Sequence, residues 1–383
     1  MSKSRHIAVL TGKRGGYGAM KPMLRAMEGS PDIRLSLLVT DQHLNPKFGA
    51  TISEIEKDFK IAAAVDMEQT DDSPRARASA LGVCLTRMAE VLADLKPDIL
   101  VLYGDRGEVL STAVAAVTLR IPIAHLQGGD VSGNVDEVMR HAITKLAHLH
   151  FPSTETSGNR ILAMGEEPWR VQVVGDNHID LIVAGEYTDS AAVRERFSIP
   201  VGEAPLVVLL HSETTRMRDG YGDMRRVLEA VLDEKRRTIV VYPCSDHGYE
   251  DIVRAIHDHE GCPWVSVHKN IEAPDFWGLL SIAGAMVGNS SAGLIETPYF
   301  RIPAINIGER QRGREHGNNV IHCGYDPAEL RAALDKALRD PGFRTEVANC
   351  AQLFGDGYAW RRIVERLKSV ELDDGLLDKR LAY

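Results

Sequence analysis

Short, unbroken apolar runs recur along this chain with spacers long enough for helices between them. In the first half they are Ile7–Thr11, Leu35–Thr40, Ile99–Tyr103, Pro122–Leu126, Leu149–Phe151 and Val171–Val174. In the second half they are Leu206–His211, Thr238–Tyr242, Trp264–Val267, Ala285–Val287, Pro303–Ile307 and Val320–His322. A strand that is apolar at every position has to be covered on both faces, which is the condition of a parallel sheet packed between helices. The spacers suit crossover helices: in one of them Met88, Val91, Leu92 and Leu95 fall on a single helical face. Such alternation predicts an α/β protein of doubly wound parallel sheets.

The pattern runs twice. A polar stretch between the two halves begins at Gly175-Asp176-Asn177 and continues from Gly185 to Ser190. It predicts a first domain over 1–175 and a second over 176–357. A final segment over 358–383, with a helix from about Tyr358 to Val370, is expected to cap the first domain.

Composition narrows the function classes. The formal net charge of −9 disfavours nucleic-acid polymers as partners, since sequence-independent binding to them runs on clustered positive charge. The five cysteines are odd in number, widely spaced and free of any CxxC, which argues against a disulfide framework or zinc ribbon and fits a reducing compartment. No apolar h-region follows the first six residues, and the longest apolar runs, such as Leu206–Leu210, fall far short of a bilayer span. The expectation is a cytoplasmic protein without membrane partners.

Ligands of doubly wound sheets bind beyond the carboxyl ends of the strands, so the segments after each strand are the candidates. The first is Thr11-Gly12-Lys13-Arg14-Gly15-Gly16-Tyr17-Gly18, a glycine-rich turn that matches neither GxGxxG nor GxxxxGK[ST]. Dinucleotide and P-loop chemistry are thereby disfavoured, while Arg14 still suits an anion. Gly104-Asp105-Arg106-Gly107-Glu108 sets a carboxylate beside an arginine, as a structural ion pair or as a working acid/base. Asp136, Glu137, Arg140 and His141 are spaced to form one polar cluster on a helix. In the second half His211 ends a strand and Ser245-Asp246 follows another. Gly288-Asn289-Ser290-Ser291-Ala292-Gly293 leads into a helix containing Glu296, an arrangement suited to phosphate. Arg310, Arg312 and Arg314 could clamp a diphosphate. No HExxH or Cys/His metal spacing is present, and GxSxG is absent.

Taken in order, five of these segments resemble the UDP-N-acetylglucosamine 2-epimerases, especially their hydrolysing branch. They are Thr11 to Gly18, Gly104 to Glu108, Asp136 to His148, Gly288 to Glu296, and Asn306 to Arg314. The resemblance implies a GT-B-type fold: two Rossmann-like domains facing a central cleft. It implies a cytoplasmic homodimer or homotetramer acting on a UDP sugar, with no cofactor and no metal, in sialic- or legionaminic-type acid biosynthesis. It also implies anti elimination of UDP to a 2-acetamidoglycal, followed by hydration. By the same resemblance, Asp105 and Asp136 are acid/base carboxylates, Arg140 orients Asp136, and His211 lies near the diphosphate. Arg14 and Arg310 are expected at the phosphates, Ser290, Ser291 and Glu296 at the phosphates and ribose, His43 in the cleft, and Glu108 and Gly293 among the substrate- or nucleotide-binding residues.

One departure stands out. The family often carries glutamate where this chain has Gln127. Glutamine can hold a sugar by hydrogen bonds but cannot accept a proton. Either the proton work falls to Asp105 and Asp136, or the substrate is altered, or the chain binds without turnover.

Overall fold

The computed structural model describes residues 4–383 except 47–49, 72, 132–134, 214–218 and 245–247; for Val135 and Asp136 it describes the backbone alone. The Asp136 side chain and Ser245-Asp246 therefore lie outside the described residues. Two compact units are present. Over the described residues, one comprises 4–131, 135–181 and 354–383, and the other 182–353.

The first unit is built on a parallel sheet of β1 (Arg5–Thr11), β2 (Ile33–Thr40), β3 (Ile61–Val65), β4 (Ile99–Tyr103), β5 (Ile123–Leu126) and β6 (Leu149–Phe151). The strand order is β3-β2-β1-β4-β5-β6. β4 is Ile-Leu-Val-Leu-Tyr with every residue buried, as a central strand covered on both faces requires. Over it lies the helix Arg14–Glu28, which buries Met20, Met23, Leu24 and Met27 at helical spacing. Two strand expectations change. Val171–Val174 forms only an isolated bridge, His150 to Val171, so the sixth place in the sheet is not its own. The place goes to β3, whose Ile-Ala-Ala-Ala-Val pairs on one side only, with β2, and alternates in burial as an edge strand does.

The second unit carries β7 (Leu206–Leu209), β8 (Thr238–Val241), β9 (Val265–His268), β10 (Ala285–Gly288), β11 (Ala304–Ile307) and β12 (Val320–Cys323), in the order β12-β11-β10-β7-β8-β9. Both sheets thus have the Rossmann strand order, with a reversal of chain direction across the sheet between β1 and β4 and again between β7 and β10. In such sheets the crevice for a ligand opens at that reversal.

The last segment belongs to the first unit. Its helix, Ala359–Ser369, buries Ala359, Ile363, Val364 and Leu367 in the same core as Met20 and Leu24. Burying Ile363, Val364 and Leu367 contributes about 1.5–3 kcal/mol each. Both oxygens of Asp180 cap the start of this helix, accepting from the Ala359 and Trp360 amides at 2.9 Å each. At the seam Asp176 N donates to Phe354 O at 2.8 Å. Gly175 and Gly355 face each other there with φ of +99° and +104°, and a Cβ on Gly355 would stand 2.8 Å from the Gly175 Cα. These anchors hold the chain to the first unit through Leu181, beyond the 175/176 boundary that composition suggests.

The tail beyond that helix is equally fixed. Arg170 donates to the Gly375 and Leu376 carbonyls at 2.8 Å each. Lys379 Nζ caps the end of the helix Val135–Leu146, donating to the carbonyls of Thr144, Lys145 and Ala147 at 3.1, 2.8 and 2.7 Å. No helix among the described residues is long and apolar enough to cross a membrane.

Candidate active site

In the first unit the polar groups gather at the carboxyl ends of β1, β4 and β5, at the strand reversal. The sequence neighbours Asp105 and Arg106 do not pair. Arg106 turns back to Asp41 at 2.8 Å and Glu108 at 3.0 Å. Asp105 instead pairs with Arg140 from the helix Val135–Leu146. Both members are largely buried, with side chains 14% and 6% exposed. Burial alone would raise the Asp105 pKa, but the Arg140 guanidinium outweighs it and holds the carboxyl below the usual carboxylate value. Arg140 also faces Asp130 at 3.6 Å and reaches the Gln127 carbonyl at 3.5 Å.

Gln127 stands at the end of β5 with φ of +62°, a left-handed backbone that glutamine rarely adopts. Its Nε2 donates to Asp176 Oδ2 at 3.0 Å. Asp176 is 2% exposed and also accepts from the His178 amide at 2.8 Å and from His178 Nδ1 at 3.0 Å. Burial acts to raise the Asp176 pKa; the bonds from His178 and Gln127 lower it below the usual value. Tyr103 at the end of β4 lies 3.3 Å from the same His178 nitrogen.

The structure changes several expected roles. Arg140 is buried but His141 is exposed, because adjacent helical residues point about 100° apart; the two do not share one cluster. Arg140 pairs with Asp105; its expected partner Asp136 has its side chain outside the described residues. His43 is fully buried, its nitrogens bonded to Thr11 at 3.0 Å and Thr51 at 2.7 Å, and burial pulls its pKa down to about 4. It stays neutral and braces the turn after β2 from within the protein. Glu108, 3% exposed, likewise serves Arg106 and is not open to a ligand. Arg14 sits at the surface against Glu54, at 3.1 and 3.2 Å.

In the second unit the reversal between β7 and β10 is spanned by His211 and Asn289. The His211 amide donates to Asn289 Oδ1 at 2.7 Å, and Asn289 Nδ2 returns a bond to the His211 carbonyl at 2.9 Å. Gly288 permits this approach: its φ is +141°, and a Cβ there would fall 2.0 Å from the Leu209 carbonyl oxygen. His211 Nδ1 accepts the Cys244 amide at 3.0 Å, which places the proton of the neutral ring on Nε2. The Asn289 carbonyl in turn holds Arg310 at 3.3 Å and Gln311 at 2.7 Å.

The helix after Asn289 is shorter than the motif suggests. It spans only Ala292–Ile295 before Glu296 turns the chain into Thr297–Phe300, so its dipole is that of a single turn. Ser290 Oγ lies 3.4 Å from the Ala292 amide, and the Ser291 side chain makes no cap bond. Gly293 is buried and its amide donates to the Ser290 carbonyl at 3.1 Å, so it contributes no N–H to an anion. Glu296 accepts from Trp277 Nε1 at 2.8 Å. Arg312 points to solvent and pairs with Glu309 at 3.0 Å, so the expected triple arginine clamp does not form. A cavity of about 770 Å³ in the second unit is lined by Asn306, Gln311, Arg314, His322 and Tyr325, among others. That volume accommodates a nucleotide-sized ligand.

Among the residues of these clusters with no role in the sequence reading are Asp130, Asp176, His178 and Asn289. Asn289 lies inside the Gly288–Gly293 motif, and Asp130 stands three residues after Gln127. Asp176 and His178 sit in a stretch whose polarity marks it as a linker, and nothing local ties them to β5.

Two Rossmann-like units with polar clusters at both strand reversals make up a fold of the GT-B type. The UDP-N-acetylglucosamine 2-epimerase family profile matches residues 25–368, and the chain belongs to that family. Among its relatives, the UDP-N,N'-diacetylbacillosamine 2-epimerase (hydrolyzing) of Legionella pneumophila is 34% identical over 99% of this chain and 100% of its own. The UDP-N-acetylglucosamine 2-epimerase of Neisseria meningitidis is 29% identical over 87% of each chain. The Neisseria meningitidis enzyme bound to UDP-GlcNAc has the same fold, with a TM-score of 0.79 at 19% identity over 94% of this chain and 99% of that one.

Proposed function

We propose that the protein is a hydrolysing 2-epimerase. It converts UDP-N-acetylglucosamine, or a 2,4-diacetamido-6-deoxy relative, to the free manno-configured 2-acetamido sugar and UDP. The Asp105–Arg140 pair carries this reading. It keeps a nearly buried carboxylate ionised at a strand reversal, which is the state a general base needs. In the first step the base takes the C2 proton, the C2–H electrons form the C1=C2 bond, and the C1–O electrons leave with UDP. In the second, water adds its oxygen to C1 and a proton is delivered to C2 from the opposite face.

The second unit suits the leaving group. His211 Nε2–H, the hydroxyls of Ser290 and Ser291, and Arg310 are donors for a diphosphate, and Glu296 is an acceptor for ribose hydroxyls. Asp136 is the proposed second acid/base group and Arg14 an outer phosphate contact. The names of the Legionella relative and of the Campylobacter jejuni GDP/UDP-N,N'-diacetylbacillosamine 2-epimerase (hydrolyzing), which is 28% identical, support the diacetamido substrate.

Gln127 favours a second reading, a nucleotide-sugar-binding protein without turnover. Incubation with each UDP sugar in deuterated water, followed by NMR, separates the readings. Free UDP and a free manno sugar deuterated at C2 support hydrolytic epimerisation. A UDP-linked manno sugar indicates the non-hydrolysing reaction. Binding without turnover supports the second reading.

A further inference from the structure

The Gln127 carboxamide cannot take a proton, yet it does not stand alone. Its Nε2 lies 3.0 Å from a carboxylate oxygen of Asp176, a side chain 2% exposed in a stretch that follows β6. A carboxylate accepts and does not donate, so the amide must present nitrogen to it, leaving Oε1 as the acceptor of the Gln127 side chain. The same carboxylate accepts His178 Nδ1 at 3.0 Å, which fixes that ring's proton on Nδ1. The Gln127 backbone, with φ of +62°, is tied to the site by its carbonyl, which Arg140 reaches at 3.5 Å.

We propose that Asp176 is a positioning residue of the active site, and that Gln127 and Asp176 form an exchanged amide–carboxylate pair in which Asp176 bears the charge a glutamate at 127 would bring. Asp176 does not touch substrate. It acts through Gln127, whose carbonyl it turns toward hydroxyl or amide donors of the sugar, and through His178. Glutamate at 127 with Asp176 retained would set two carboxylates 3.0 Å apart, where both cannot ionise. The pairing therefore requires one amide and one acid, in either order. This inference rests on the 2-epimerase reading for its kinetic consequence but not for the pairing itself.

Four proteins test it: wild type, Gln127→Glu, Asp176→Asn and the double exchange. Each single substitution is expected to lower kcat by about tenfold or more, and the double to recover to within roughly threefold of wild type, the non-additivity that marks directly coupled residues. Losses that simply multiply in the double overturn the proposal.

Thermal unfolding against pH supplies a readout independent of turnover. In Gln127→Glu the two acids share a proton, so the folded pKa rises above the unfolded one. The variant is then stable at low pH and loses Tm as pH rises through that value; the double exchange removes the loss. The charged and titratable groups facing Asp176 are His178 and Asp180 from the helix Asn177–Val183 that follows it and Tyr103 from β4, with Asp105, Asp130 and Arg140 also acting on Tyr103. All are common to the four proteins. An unchanged pH profile in Gln127→Glu overturns the pairing. A wild type that binds UDP without converting any UDP sugar defeats the 2-epimerase reading, and the unfolding series still decides the pairing.

Discussion

Arg140 is the partner of Asp105, although 35 positions separate them and Arg106 is the next residue in the chain. The geometry gives this pair a division of labour. Arg140 is buried behind the carboxylate and keeps it charged. Replacing Asp105 with Asn keeps the shape and removes the proposed base. Turnover is expected to fall about a hundredfold or more, a typical loss for a general base, with UDP affinity nearly unchanged. UDP release and calorimetric titration with UDP check the two halves of that statement.

Arg310 is held by the Asn289 carbonyl at 3.3 Å, close to the ends of β7 and β10. Replacing it with Ala removes one charge-assisted donor. UDP binding is expected to weaken about tenfold, or near 1.4 kcal/mol. Calorimetry measures it directly, and unchanged affinity takes Arg310 out of the anion site.

Gly288 tolerates no side chain. A Cβ 2.0 Å from the Leu209 carbonyl oxygen has to push β10 from β7 and open the His211–Asn289 bridge. Gly288→Ala is expected to cost on the order of 2–4 kcal/mol, combining overpacking with the strain of φ at +141°. Thermal unfolding and UDP titration of the same sample report the two consequences.

Glu166 makes the first unit acid-sensitive. Burial would raise its pKa, but His150, Lys145 and Lys379 surround the carboxylate and bring it down to about 2. Since the folded pKa lies below the unfolded one, the stabilisation is full above about pH 5 and is lost as pH falls toward 2. Glu166→Gln is expected to flatten that part of the Tm–pH curve and to lower Tm at neutral pH. The comparison needs only unfolding scans between pH 3 and pH 8.

The sheets were legible because central strands such as β4 have no polar position to confuse the period. β3 was not: Ile-Ala-Ala-Ala-Val has too little apolar bulk for a core strand, and its place depends on pairing with β2, which no local pattern encodes. The site divided along the same line. Asp105, Gln127, Arg140 and His211 follow strands or lie on a helix at a recognisable spacing, and they do gather at the strand reversals. Their partners could not be read. Arg140 meets Asp105 from a different element, and Asp176 meets Gln127 from a stretch that looks like a linker. His43 shows the opposite error: a polar residue after a strand resembles a ligand contact, but two threonines satisfy both its nitrogens out of reach of solvent.

The first unit closes only with residues 354–383, after the whole of the second unit has been made. During synthesis its sheet and the helix Arg14–Glu28 therefore emerge long before the helix that covers them, leaving Met20, Leu24 and their neighbours without Ile363 and Leu367. The second unit, continuous from 182 to 353, is able to fold first. A ribosome-released fragment ending before Phe354 would thus carry the Asp105–Arg140 pair on an unfinished domain. Removal of the tail by a protease would inactivate the protein from the end farthest in sequence from Asp105.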